Sequence, residues 1–185
     1  MTKIVTDILS ILVLLGDIAI VLYVVLWAIN KTQDFVSLRR FVDHITQWVQ
    51  KHAAIILFII PTIAMLASLY YSKIAGWEPC ELCWYQRIAM YPIVVLAGTA
   101  LWRNTKNVVT YIIPLATIGA VISTIHYIEQ INVTIAHRNP LFTCVADSIS
   151  CGTVYTFHFG YITIPMMALT GFVLILLIAR VGRTK

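Results

Sequence analysis

Five long runs of apolar residues limit what this chain can fold into. They cover approximately residues 8–29, 53–71, 84–102, 108–128 and 161–179. A helix needs roughly 20 mainly apolar residues to cross a hydrocarbon core about 30 Å thick, and each run meets that requirement. We therefore predict an all-α membrane protein with five transmembrane helices.

The composition excludes a soluble protein. Only 11% of the 185 residues are charged and 60% are hydrophobic, whereas a soluble domain carries roughly 25% charged residues. The first apolar run is too long for a signal peptide and ends at Trp27, Ala28, Ile29 and Asn30, without a small-residue cleavage site. We predict that it is retained as a transmembrane helix.

The positive charges between the runs predict the orientation of the chain. Nine of them fall on one side: Lys31, Arg39, Arg40, Lys51, Arg103, Lys106, Arg180, Arg183 and Lys185. Outside the runs, the other side has Lys3, Lys73 and Arg138. Because cytoplasmic connections accumulate Lys and Arg, we expect a cytoplasmic C-terminus, with the N-terminus and residues 72–83 and 129–160 outside. The net charge of +5 is then a topology signal, and we expect no nucleic-acid partner.

The segment between the first two runs has the spacing of an amphipathic helix. Its apolar residues recur at helical intervals: Phe35, Leu38, Phe41, Val42, Ile45, Trp48 and Val49. Charged and polar residues separate them, which predicts a helix lying on the cytoplasmic membrane surface. We therefore expect residues 1–52 to form an N-terminal extension, with a four-helix bundle in residues 53–185.

A Cys-x-x-Cys motif stands where the third run begins. The N–H groups and dipole at a helix N-terminus stabilise a thiolate. Cys80, Cys83 and Arg87 stand at i, i+3 and i+7 and share one helix face. We predict that Arg87 stabilises the Cys83 thiolate and binds a carbonyl of a ligand at the membrane edge. The alternative is an arginine that only extends to the interface.

Other uses of this motif remain to be weighed. Attachment of c-type haem requires a histidine where Trp84 stands, so haem is excluded. A zinc site would use all four cysteines, and an oxidising exterior disfavours it; we predict no metal. A permanent structural disulfide between Cys80 and Cys83 stays open.

The second pair, Cys144 and Cys151, encloses a short polar loop that we expect to be solvent-accessible. A disulfide closing so small a ring adds little stability, so we favour thiol–disulfide exchange over a structural role. One pair at the membrane and one in a loop predict an electron relay, in which the loop pair meets a soluble protein and the membrane pair meets a lipophilic acceptor.

These features together resemble the disulfide bond formation protein B family. The resemblance rests on the stretch CELCWYQR, the second cysteine pair and several residues further along: His126, Tyr127, Phe159, Gly160, Ile164, Pro165 and Met166. It covers roughly residues 53–179. The short separation of Cys144 and Cys151 is similar to that of the BdbC branch.

The resemblance implies a four-helix protein of the bacterial cytoplasmic membrane. It implies a thiol:quinone oxidoreductase that oxidises a thioredoxin-like, DsbA-type partner and reduces ubiquinone or menaquinone. Carried over to this sequence, the family's mechanism implies that the partner's thiolate attacks Cys144 and that Cys151 then exchanges with Cys80. Cys83 faces the quinone beside Arg87.

Two residues are open to two interpretations each. His126 matches a family position and is either near the quinone or an interfacial histidine bonded to the loop. Asp17, in the middle of the first run, serves either helix packing or a proton relay. Residues 1–52 depart from the four-helix pattern. Because they contain no cysteine, we expect electron transfer not to depend on them.

Two other classes of function remain. A vitamin K epoxide reductase-like enzyme also couples a Cys-x-x-Cys motif to a quinone, but there we expect the motif late in the chain. A non-catalytic membrane scaffold would use both disulfides to fasten its outer loops. Bound quinone distinguishes the two classes, because a scaffold has none.

Overall fold

The computed structural model describes residues 2–32, 36–105, 107–134 and 150–183. These residues form helices α1 (Thr2–Thr32), α2 (Val36–Lys73), α3 (Glu81–Arg103), α4 (Val109–Thr134) and α5 (Ile164–Arg183). The prediction of an all-α membrane protein is confirmed. Cys144 lies outside the described residues.

Among the residues that the structure describes, four helices are long and apolar enough to cross a membrane. The qualifying segments are Thr2–Ile29, Val42–Lys73, Val109–Thr134 and Ile164–Gly182. Helix α3 has the length of a span, but its N-terminal half carries Gln86 and Arg87, which lower its mean hydropathy. It packs between α2 and α4, with Gln86 buried and Arg87 partly buried.

The predicted amphipathic segment is not a separate helix. Residues 36–49 are the first turns of α2, which continues without interruption to Lys73. At about 1.5 Å per residue, the 38 residues of α2 extend roughly 57 Å, well beyond the hydrocarbon thickness of about 30 Å. The prediction of a distinct surface helix is therefore not confirmed.

Helices α2 to α5 form a four-membered ring. Each packs against two neighbours, in the order α2, α3, α4, α5 and back to α2, while α1 packs outside the ring on α2 and α5. Close approach of α4 and α5 depends on Gly119, because a Cβ there would lie 2.2 Å from the Phe172 ring. Helix α1 is thus an added helix on one edge of the bundle, whereas residues 36–52 of the predicted extension belong to α2.

Two hydrogen bonds show which parts of the chain lie at the same end of the bundle. Near the start of α1, Thr6 accepts a hydrogen bond from the Tyr71 hydroxyl at the end of α2 (3.4 Å). At the other end, the Gln50 amide donates to the Val181 carbonyl of α5 (3.2 Å). The start of α1 therefore shares an end with the Cys-x-x-Cys motif, opposite the end of α5.

Candidate functional site

Helix α3 begins at the Cys-x-x-Cys motif, with a cysteine as its capping residue. Cys80 has extended backbone angles, and its Sγ accepts a hydrogen bond from the Cys83 amide at 3.4 Å. Serine and aspartate side chains satisfy helix N-termini in the same way. The cap brings the two Sγ atoms to 3.0 Å, so the motif forms a closely spaced dithiol at a helix N-terminus.

Arg87 lies one turn further along α3 and is partly buried. Its Nη2 donates to the Ser68 carbonyl of α2 at 3.1 Å, and its guanidinium carbon lies 5.0 Å from the centre of the Trp84 ring. Its Nε is buried without a hydrogen-bond partner. The side chain is thus held by α2, and its buried Nε donor remains without a partner.

Cys151 is buried beside Cys80, and this burial was not expected. Cys80 and Cys151 are only 5% and 2% exposed and belong to one buried cluster. The prediction of a solvent-accessible loop pair is therefore wrong for Cys151. The amide of Gln130 explains the burial in part, since it donates to the Thr153 carbonyl at 3.1 Å and holds this segment on α4.

His126 connects the two cysteine-bearing segments. Its Nε2 lies 3.2 Å from the Cys151 carbonyl and 3.6 Å from the Cys80 Sγ, and its Nδ1 lies 3.1 Å from the Gln86 amide nitrogen. A carbonyl only accepts hydrogen bonds, so the hydrogen of a neutral ring belongs on Nε2, and Nδ1 accepts from Gln86. His126 therefore holds the Cys151 backbone beside Cys80.

The environment of Cys80 makes it a poor thiolate while both motif cysteines are reduced. Its hydrogen bond with Cys151 lowers the pKa of the Cys80 thiol. The hydrogen bond with Cys83 and burial act in the opposite direction, and together they raise the pKa to about 12. The position of Cys83 in the first turn of α3 is one where the helix N-terminus favours a thiolate, and the role of Arg87 in stabilising it stays a prediction.

A cavity of about 340 Å³ opens beside the dithiol. Cys80, Cys83, Arg87, His126 and Cys151 all line it, and most of the remaining lining is apolar. The described residues thus bring together every predicted site residue except Cys144.

An aromatic stack forms part of the wall of this cavity. The Trp77 ring lies between those of Tyr71 and Tyr155, with centroid distances of 4.8 and 5.2 Å and nearly parallel planes. The Tyr155 hydroxyl also donates to the Glu78 carbonyl at 3.2 Å. The stack joins the segment before Cys80 to the segment after Cys151.

Several lining residues were missed at the sequence level. Gln86 and Gln130 position His126 and the loop, and Tyr91 has a buried hydroxyl without a hydrogen-bond partner. Tyr91 stands four residues after Arg87 on the cavity face of α3, and that spacing was an available signal. Leu12 and Val13 of α1 also line the cavity, although the extension was expected to lie apart from the chemistry.

The dithiol and His126 could also be considered as metal ligands. Their ligand atoms lie within 4.8 Å of one another. Two sulfurs bound tetrahedrally to zinc at about 2.3 Å would be about 3.8 Å apart, whereas the Cys80 and Cys83 sulfurs are 3.0 Å apart. The spacing suits direct sulfur–sulfur chemistry better than zinc binding.

We expect His126→Leu to slow exchange between the cysteine pairs. Loss of a hydrogen bond worth about 1–1.5 kcal/mol would reduce turnover with a protein dithiol donor about fivefold to tenfold. Turnover with dithiothreitol, which can reduce Cys80 and Cys83 directly, should change little. Steady-state rates with both donors test this, and an equal loss with both would assign His126 to the electron acceptor instead.

Comparison with known proteins gives a consistent set of matches. Residues 50–182 match the family model described as "Disulfide bond formation protein DsbB". No solved structure matches the chain.

Relatives from Bacillus species are among the matches. "Disulfide bond formation protein C" of Bacillus subtilis is 45% identical over 123 residues, which is 65% of this chain and 84% of the relative. "Probable disulfide formation protein C 2" of Bacillus cereus is 36% identical, over 71% of this chain and 91% of the relative. The "SPbeta prophage-derived disulfide bond formation protein B" of Bacillus subtilis is 35% identical, over 65% and 78%.

Proposed function

Because the chain belongs to the disulfide bond formation protein DsbB family, we propose that it is a membrane thiol:quinone oxidoreductase. It takes two electrons from an extracytoplasmic, thioredoxin-like dithiol protein of the DsbA type. The electrons pass through Cys144 and Cys151 to Cys80 and Cys83, and then to ubiquinone or menaquinone. The family match favours this function over a vitamin K epoxide reductase-like enzyme.

One observation carries the proposal. The sulfurs of Cys80 and Cys83 are 3.0 Å apart, Cys151 is buried in the same cluster as Cys80, and all three residues line one apolar cavity with Arg87. A structural disulfide needs neither a third cysteine beside it nor a cavity. Adjacent thiols of two pairs are what disulfide exchange requires.

The cavity has the features that a quinone requires. Its walls are mainly apolar, which suits the ring and the hydrocarbon tail. The Arg87 Nε and the Tyr91 hydroxyl are buried donors without partners, and unpaired buried donors are costly unless a ligand accepts from them. These two groups would hold the carbonyl oxygens, and the quinone would supply a two-electron sink by becoming a quinol as the dithiol becomes a disulfide.

The electrons move by successive thiol–disulfide exchanges, each of which breaks one disulfide and forms another. The partner's thiolate attacks Cys144 of the Cys144–Cys151 disulfide, which forms a mixed disulfide and releases Cys151 as a thiolate. Cys151 attacks Cys80 of the Cys80–Cys83 disulfide and releases Cys83, whose thiolate Arg87 and the helix N-terminus stabilise.

The second half of the sequence restores the loop pair. The partner's second thiolate resolves the mixed disulfide, which releases Cys144, and Cys144 then attacks Cys151. The Cys144–Cys151 disulfide re-forms, and Cys80 leaves reduced. The net result is an oxidised partner and a reduced pair, Cys80 and Cys83, which then loses two electrons and two protons.

The proposed location is the bacterial cytoplasmic membrane, with the cysteines and the N-terminus outside. This orientation rests on the nine Lys and Arg residues predicted on the opposite side. It agrees with the start of α1 and the Cys-x-x-Cys motif lying at one end of the bundle. Disulfide exchange with a secreted partner requires this orientation, because disulfides persist in that compartment.

The experiment that tests the function is turnover with purified components. A reduced thioredoxin-like partner and ubiquinone or menaquinone should be converted to an oxidised partner and a quinol by the wild-type protein. A Cys80→Ala, Cys83→Ala variant should show only the uncatalysed rate. If the wild type matched that variant, the scaffold interpretation would replace the proposed enzyme.

A further inference from the structure

Helix α1 lies outside the region that matches the family, which begins at residue 50. It nevertheless contacts the cavity. Leu9, Leu12 and Val13, at i, i+3 and i+4 on one face of α1, line the same cavity as Cys83 and Arg87. The cavity therefore extends from the dithiol to the edge of the bundle where α1 packs.

Small residues leave the ring open at that edge. Ala64 and Ala67 of α2 and Ala168 and Gly171 of α5 line the cavity between these two helices. A Cβ added at Gly171 would meet only the Met90 Cε, at 3.6 Å. Because these side chains are short, they do not close the space between α2 and α5, and α1 covers it.

Polar contacts fix α1 in this position. The Asp17 carboxylate accepts hydrogen bonds from the Tyr161 hydroxyl at 2.9 Å and from the Thr170 hydroxyl at 2.6 Å. Near the outer end, Asp7 lies 3.6 Å from the His158 ring nitrogen. A carboxylate within a membrane span is costly unless it is paired. Asp17 therefore fixes the register of α1, in agreement with the helix-packing interpretation.

Building on the proposed function, we propose that α1 is the side wall of the quinone cavity, and that Val13 contacts the bound quinone and limits its size. Without α1, the cavity would open to lipid between α2 and α5. The wall retains the apolar part of the quinone while Arg87 holds its polar part. Asp17 is a positioning residue, since it acts by docking α1.

The test compares two substitutions on α1 that introduce the same residue, tryptophan. Val13→Trp places a large ring in the cavity, whereas Leu15→Trp lies at a position that is 57% exposed. Both are made in the full chain carrying Cys80→Ala and Cys83→Ala, so that binding is measured without turnover. We expect the Kd for a short-tailed ubiquinone to rise at least about tenfold, or 1.4 kcal/mol, with Val13→Trp and to stay unchanged with Leu15→Trp.

The outcomes separate this inference from the proposed function. If the chain with Val13 and Leu15 unchanged binds no quinone, the proposed function fails. If that chain binds quinone and the two tryptophan variants bind it equally well, α1 is not the side wall of the quinone cavity. Where Val13→Trp does not fold, Asp17→Ala decides the matter: a raised Kd supports the docking of α1 as a wall, and an unchanged Kd overturns it.

Discussion

Replacing both Cys144 and Cys151 with alanine should abolish quinone reduction by the protein partner while preserving reduction by dithiothreitol. The double variant keeps Cys80, Cys83 and the cavity, so the acceptor site is unchanged. It lacks the disulfide that the partner attacks. Because Cys80 is only 5% exposed, we expect a small thiol to reach the dithiol more easily than a protein-sized donor.

The measurement is the steady-state rate of quinol formation with each donor. Single variants refine it, because Cys151→Ala removes the thiol that contacts Cys80 and Cys144→Ala removes the site of attack. Both should stop turnover with the partner. A double variant that oxidised the partner at the wild-type rate would make the loop pair a structural disulfide.

Replacing Arg87 with lysine should weaken quinone binding much more than it affects the partner. Lysine keeps the charge but loses the planar fork of donors, including the Nε that is buried without a partner. Loss of a charged hydrogen bond worth about 1.5–3 kcal/mol would raise the KM for quinone roughly tenfold to a hundredfold. The KM for the partner should stay near the wild-type value.

Tyr91→Phe is the matched control for the second donor. It removes one hydroxyl from the same face of α3 without changing charge, so its effect on the KM for quinone should be smaller than that of Arg87→Lys. Initial rates at varied quinone concentration measure both. Unchanged quinone kinetics in Arg87→Lys would mean that Arg87 has only an interfacial role, in which its side chain contacts Ser68 and Trp84.

Helical spacing explains why much of the site could be predicted. Cys80, Cys83 and Arg87 share a face of any helix that begins at the motif, so their common position on the cavity follows from sequence alone. The helix cap also fixes the positions of the two cysteines, because the Cys80 Sγ accepts a hydrogen bond from the Cys83 amide. Local geometry is sufficient here because all three residues lie within about two turns of one helix.

The position of Cys151 could not be predicted in this way. Its burial depends on hydrogen bonds from Gln130 and His126, which are more than 20 positions away in the sequence. The polarity of the loop indicated exposure, but the contacts with α4 turn the residue inward. Long-range contacts of this kind leave no periodic signal.

The role of α1 shows a second limit of sequence patterns. A nearly uniform apolar helix does not reveal which side faces lipid and which faces protein. Thr6, Ser10 and Asp17 stand on one face, and this polar side was a usable sign that α1 packs against the bundle. The contact of Val13 with the cavity depends on the short side chains of α2 and α5, which only the assembled fold brings together.

The central claim is that the Cys80–Cys83 dithiol delivers two electrons to a quinone, and a single-turnover stoichiometry tests it most directly. The Cys144→Ala, Cys151→Ala variant, fully reduced and free of oxygen, is mixed with excess ubiquinone or menaquinone. Free thiols and quinol are then counted. We predict that two thiols disappear for each quinol formed and that peptide mapping finds a Cys80–Cys83 disulfide. Quinone that remains oxidised while both thiols persist would contradict the claim.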